Sequence, residues 1–360
     1  MQRQVNKNLF TGQSFYIGID CHKKSWKVTI LSEHNEHKTM SQNPDPDILA
    51  NYLKRNFPGG NYYAVYEAGF SGFDACRRMK QLGIDCRVIH PADVPTNQKE
   101  RLQKTDKADS RKLARSLRNQ EFSSIDIPDR KLEADRALVR QRFRLMKDLS
   151  RTKNRVKSLL FQFGISIPER FTHAQMRHWS KPYVNWLKTL SVEEESLRET
   201  LDNYINIGQK QREELLRVNR QIKKLARSDA YRNNCNLLLN VPGIGTITAM
   251  TFLVQIGNIT RFKRLDELCN YVGLVPSMHG SGEKMETGEM IKRGRKELKI
   301  MLIEAAWIAV RKDPALMAKF NELRSKMNKN KAIIRIARKL LNRIRSILIN
   351  QRPYEMNVIE

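Results

Sequence analysis

The sequence has no CxxC pair, no GxxxxGK[ST] loop and no apolar run long enough to form a membrane-spanning helix. Each absence removes a class of function. Five cysteines (Cys21, Cys76, Cys86, Cys235 and Cys269) are scattered and odd in number, which argues against a disulfide framework or a cysteine-held zinc. They fit reduced thiols in a cytoplasmic protein. Without a P-loop, ATP hydrolysis by that route is not expected. No stretch approaches the ~20 apolar residues of a spanning helix, and no signal-peptide pattern opens the chain, so no membrane partner is expected. Acids are scarce beside bases. There are 38 Asp and Glu against 66 Lys and Arg, a formal charge of +28 with pI ≈ 10.1. Such an excess draws polyanions and makes their binding strongly salt-dependent. The cations are spread among apolar residues, which indicates a folded nucleic-acid binder and not a basic tail.

At 360 residues the chain is too long for one ordinary core, and two or three domains are expected. The first third reads as strands over 15–20, 26–31, 37–40, 62–66 and 86–89. Helices are expected over 47–57, 72–82 and 106–119. The order β-β-β-α-β-α-β-α describes a mixed sheet with helices on its faces. Ligand sites in such sheets gather at the carboxyl ends of strands, where Asp20 and Glu67 fall. Asp106 and Asp109, three residues apart, share one face of the first turn of the next helix. Each acid alone has a plain structural use. An aspartate at a strand end suits a turn, and acids at a helix start meet the macrodipole and free N–H groups. Four of them, from three elements of a very basic chain, point instead to a divalent metal held against a phosphate. His34 and His37 also have metal-compatible spacing but read as solvated turn residues.

Leu138, Leu145, Leu149, Val156, Leu160 and Phe163 follow three/four spacing in a helix expected over 130–163. A second long helix is expected over 192–227. Together they form a helical hairpin, a spacer or a dimerisation arm. In the last third, Val241-Pro242-Gly243-Ile244-Gly245 lies between two apolar stretches. Gly243 and Gly245 would let backbone approach a phosphate, as in a helix-hairpin-helix; an ordinary turn between helices fits as well. An irregular loop is expected over 273–284, with Ser281 between Gly280 and Gly282. Lys284, Lys292, Arg293 and Arg295 follow, cations able to hold a phosphodiester near that hydroxyl. A flexible turn is the alternative. The helix expected over 329–349 pairs an apolar stripe with a basic face.

These blocks carry a resemblance. Gly18-Ile19-Asp20-Cys21-His22-Lys23, Tyr66-Glu67-Ala68-Gly69 and Lys104-Thr105-Asp106-Lys107-Ala108-Asp109 resemble the three blocks of a DEDD catalytic domain. Val241–Gly245, Gly273–Pro276, His279–Gly282 and Ala332–Leu341 resemble a second region of the same proteins. The family is the bacterial transposases of the "insertion sequence 110" type, also called bridge-RNA-guided recombinases.

The resemblance implies an α/β RNase H-like (RuvC-like) domain over 1–125, a coiled-coil hairpin over 126–228 and a mostly α transposase domain over 229–360. It implies that Asp20, Glu67, Asp106 and Asp109 bind Mg²⁺, as two ions, and that Ser281 forms a covalent phosphoserine with DNA. It further implies a noncoding RNA that pairs with donor and target DNA, and a multimeric enzyme, dimer or tetramer, on the cytoplasmic nucleoid. Where many relatives carry two adjacent serines, Gly280 precedes Ser281 here, which favours Ser281 and leaves Ser277 as the alternative. A hydrolytic RuvC-like nuclease would use the same acids with water. A non-catalytic architectural protein would use them as caps.

Overall fold

The computed structural model describes residues 9–94, 105–172, 179–281, 284–291 and 293–356, with backbone only for 278–281 and 284–288. Two compact units divide the chain, Met1–Ile127 and Pro128–Glu360.

The first unit is built on a five-stranded mixed sheet of order β3-β2-β1-β4-β5. Its strands are β1 (Ser14–Cys21), β2 (Trp26–Leu31), β3 (Glu36–Gln42), β4 (Asn61–Glu67) and β5 (Ile84–Ile89). The strands β1, β2 and β3 form an antiparallel meander, while β4 and β5 run parallel to β1. The side-chain period of two decides which helix each face receives. Phe15, Ile17 and Ile19 of β1 join Val28, Ile30 and Ala64 in a core closed by Leu49 and Leu53 of α1 (Pro46–Asn56) and Met79 of α2 (Asp74–Gln81). Tyr16 and Tyr63 on the opposite face pack with Val65 and Ile89. That face is covered by Leu113 and Leu117 of α3 (Asp106–Arg118). The mixed sheet with a helix on each side matches the α/β arrangement expected from the pattern, to within a few residues at each boundary.

Among its described residues the second unit is helical apart from one two-stranded sheet. Two long helices, α4 (Arg130–Gln162) and α6 (Glu195–Ala226), run antiparallel. Arg142 Nε donates to Asn219 Oδ1 at 2.8 Å near one end, and Thr152 Oγ1 donates to Gln211 Oε1 at 2.9 Å further along. Between them lies α5 (Lys181–Thr189), whose Tyr183 and Leu187 join Val156, Leu160 and Leu201 in a separate small core. Gly208 of α6 is the notch for the Trp179 indole: a Cβ there would lie 2.1 Å from the ring. At the opposite end Val139, Val218 and Ile222 belong to the large core of the remaining helices. These are α7 (Arg232–Leu239), α8 (Thr246–Ile256), α9 (Leu265–Val272), α10 (Lys296–Lys312), α11 (Pro314–Lys326) and α12 (Lys329–Asn350).

One finding differs from the sequence reading. The segment expected to be an irregular loop is an antiparallel hairpin of β6 (Pro276–Ser281) and β7 (Lys284–Met290). Its glycines have weak strand propensity, so the pairing outweighs the local preference. Further along, α11 follows α10 almost without a break. Asp313 caps it by accepting from the Ala315 and Leu316 amides, and Pro314 occupies the first turn. Among the described residues, no helix is long and apolar enough to cross a membrane.

Candidate metal centre and serine hairpin

The acid edge of the first unit is assembled by a glycine. Gly18 faces α3, and a Cβ there would lie 2.1 Å from the Ser110 carbonyl oxygen and 2.4 Å from the Ala114 amide nitrogen. Only glycine lets the helix backbone settle so close to β1. A buried hydroxyl pair, Thr29 Oγ1 and Ser110 Oγ at 2.9 Å, holds the same contact from β2. Arg111 fixes the helix from outside, donating to Glu36 Oε1 of β3 through Nε at 3.0 Å and Nη2 at 2.6 Å. The first turn is closed by Thr105, whose Oγ1 accepts from the Ala108 amide at 3.2 Å.

This docking delivers the start of α3 to the end of β1. Asp20 Oδ2 lies 3.1 Å from His22 Nε2, which lies 3.6 Å from Asp106 Oδ2. Asp20, His22 and Asp106 each offer one ligand atom, and these lie within 4.8 Å of one another. Burial pushes the Asp20 carboxyl above its ordinary range; His22 works against this, while the charges of Asp106 and Asp109 add to it. Two carboxylate oxygens and an imidazole nitrogen, with Asp109 close enough to act on Asp20, are a donor set that fits a divalent cation. Positive charge there would relieve the repulsion among the acids. Glu67 closes β4, whose parallel register sets Tyr66 beside Ile19. Glu67 is therefore level with Asp20 on the next strand, on the face that carries α3.

In the second unit, Ser281 ends β6 and pairs with Lys284 of β7, three residues on. Two glycines form the neck of this hairpin. Gly273 (φ +87°) and Gly294 (φ +109°) cross so tightly that a Cβ on Gly294 would lie 2.7 Å from the Gly273 Cα. The Ile291 amide donates to the Val275 carbonyl at 3.1 Å, and the Arg295 amide to the Val272 carbonyl at 3.2 Å. Ser277 is half-buried within β6.

A DEDD transposase model of the IS110 type, described simply as "Transposase", matches residues 17–165. A second, described as "Transposase IS116/IS110/IS902 family", matches residues 235–321. The chain belongs to the IS110/IS116/IS902 transposase family. It is 28% identical to the transposase for insertion sequence element IS1533 of Leptospira borgpetersenii, over 68% of this chain and 70% of that protein. It is 27% identical to putative transposase y4rJ of Sinorhizobium fredii, over 91% and 90% of the two chains. A probable family 20 transposase of Pseudomonas aeruginosa is 26% identical over 82% and 84%. Membership in a transposase family implies cutting and rejoining of DNA.

The two matched regions of this transposase contain the acid edge and the Ser281 hairpin. His22 was not singled out by sequence reasoning as a candidate ligand, although it stands two residues after Asp20, just past the end of β1. His37, by contrast, lies on β3 with its ring 5.5 Å from Phe15 and 5.2 Å from Phe57, not in a turn. The glycines of the α7–α8 turn have different surroundings. At Gly243 (φ +86°) a Cβ would meet the Ala305 carbonyl oxygen of α10 at 2.6 Å, whereas Gly245 faces open space at the start of α8. Arg295 lies over the Tyr271 ring and donates to its hydroxyl at 3.2 Å. Arg293 is exposed at the hairpin neck. Lys292 and Gly282 lie outside the described residues, as do the side chains of Ser281 and Lys284.

Proposed function

We propose that this transposase cuts and rejoins DNA through Ser281, with Asp20, Glu67, Asp106 and Asp109, joined by His22, holding Mg²⁺ beside the scissile phosphodiester. The convergence of Asp20, His22 and Asp106 on one edge carries the reading, because each offers a ligand atom and these lie within 4.8 Å of one another. The mixed sheet with acids at its carboxyl ends supports an RNase H-like assignment for the first unit. Divalent cations bound there, as a pair, supply charge neutralisation around the phosphate and help activate the attacking hydroxyl.

The remaining chemistry belongs to the chain. The Ser281 oxygen forms a bond to phosphorus as the bond to a deoxyribose oxygen breaks, and the departing oxygen takes the electron pair. The serine proton leaves to a base in solvent, and the departing oxygen takes up a proton. Attack on the phosphoserine by a deoxyribose hydroxyl of a second strand reverses the step and restores the serine, so no phosphodiester is lost to hydrolysis. Arg293 and Arg295 border the hairpin neck, with Lys284 across from Ser281 and Lys292 following, and these cations hold the phosphate. Gly243 and Gly245, in the α7–α8 turn, hold the DNA backbone without reading bases. A noncoding guide RNA directs donor and target choice, and two or four copies of the chain act together; the +28 charge suits so much polyanion.

Because the acids and Ser281 lie in separate compact units, a hydrolytic nuclease using the acids alone is the second reading. Denaturing gels separate the two. Serine chemistry leaves protein covalently attached to cleaved DNA, and Ser281→Ala abolishes the adduct. Cleavage with no adduct favours hydrolysis, and an adduct that survives Ser281→Ala shifts the role to Ser277. Mixing Asp106→Ala with Ser281→Ala subunits then asks whether one chain supplies both groups: activity returns only if they are shared.

A further inference from the structure

A cleft of about 1240 Å³ opens in the second unit between α11, α12 and the root of the β6–β7 hairpin. Leu274, Met290, Leu323, Met327 and Ile334 give it apolar walls. Seven of its lining side chains are Lys or Arg, and two are Glu. Some of these cations are already engaged: Lys319 and Lys326 both reach Glu322, at 2.7 and 3.4 Å, and Arg338 reaches Asp266 at 2.9 Å. Lys331 and Arg335 differ. They are exposed on α12, four residues apart and so on one face, and neither is paired with an acid among the described residues.

We propose that this cleft seats an unpaired DNA strand leading away from the serine hairpin, its bases against the apolar walls and its phosphates on Lys331 and Arg335. A duplex turns its phosphates and sugars outward and stacks its base faces inside, so apolar walls offer it nothing. An unpaired strand exposes both parts, and a basic groove with an apolar lining suits both at once. Met290 and Met327 sharpen the point, since flexible, polarisable thioethers adapt to flat surfaces of different outline. Seating should therefore tolerate many sequences. Pro276, Glu289, Met290 and Ile291 belong to the hairpin or follow it directly, so a strand in the cleft lies against the hairpin that carries Ser281. The proposal rests on the serine reading only for which strand occupies the cleft.

The test is binding by the full chain carrying Ser281→Ala, which removes covalent chemistry, read by anisotropy of a short fluorescein-labelled oligo(dT) across a salt series. Lys331→Glu with Arg335→Glu should weaken this probe about tenfold and lower the salt slope by about 0.7 per lost contact. A blunt duplex of the same length should change less than about twofold. Ile334→Ser should weaken the oligo(dT) alone, with unchanged melting showing that the fold is intact. Equal losses for duplex and single strand overturn the proposal and leave a general phosphate surface. So does no loss at all, or a loss confined to oligo(U) or to an acidic peptide. Because binding is read without chemistry, these outcomes are independent of the covalent adduct that tests the serine.

Discussion

Asp20 of the first unit and Asp313 of the second meet burial in opposite ways. Asp313 is almost wholly buried and satisfied from every side. Arg343 donates to it at 2.7 Å, the Tyr354 hydroxyl donates as well, and the Ala315 and Leu316 amides of α11 complete the set. Burial alone would raise its carboxyl, but these donors outweigh it and hold the group below its ordinary value. Asp20 is half-buried, with His22 as its partner among the described residues and two like charges nearby, and its carboxyl is held high. The contrast separates two uses of a buried acid. One is matched by donors within the fold and ties α10, α11, α12 and the following Tyr354 together. The other is left short of positive charge, as suits a candidate metal ligand.

The largest expected effect comes from breaking the matched acid. Asp313→Ala leaves the Arg343 guanidinium buried without its carboxylate and should destabilise the second unit by about 3–5 kcal/mol, read by denaturant unfolding. Asp20→Asn should do the reverse. DNA rejoining falls at least about a hundredfold, while metal-free stability stays level or rises because a repelled charge is gone. Equal destabilisation by both would erase the distinction. Gly18→Ala attacks the frame and leaves the acids in place. With backbone 2.1 Å from the new Cβ, stability should drop by about 1–3 kcal/mol and the metal-binding edge should open, as followed by thermal melting and metal titration.

The smallest effect is on acid response. Asp20 has a folded value above its ordinary 3.8, so the folded state binds its proton more tightly. Stability lost to its ionisation at neutral pH is regained as pH falls through the raised value, and the gain levels off below 3.8. Asp313 has a folded value below 3.8, so its contribution is complete above 3.8 and lost as pH falls through the lower folded value. Native-state hydrogen exchange of β1 and α11 should show these opposite trends, with Asp20→Asn removing the first and leaving the second.

Much of the first unit was legible because its signals are local. Short apolar runs over Phe15–Asp20 and Trp26–Leu31 marked the strands, and the Asp106–Asp109 pair at the head of a helical run marked the start of α3. The Gly273–Pro276 and Ser281–Lys284 stretches were harder. Glycine and proline suggested a loop, and only cross-strand pairing and the Gly273–Gly294 crossing make it a hairpin. His22 was hidden for a different reason. A lone histidine has no periodic signal, and its meaning depends on Asp106, which is 84 residues further along the chain.

The sequence by itself determined the partners' charge, the order of strands and helices in the first unit, the acids at their ends and the family. Residue type, spacing and period act over a few positions and need no fold to be read. Tertiary structure decided which of those acids share a point in space, because that depends on how closely α3 can approach β1, and Gly18 sets that distance through backbone contact. It also decided which buried acid is satisfied and which is not. That balance is a sum over donors from distant segments, and no single stretch of chain contains it.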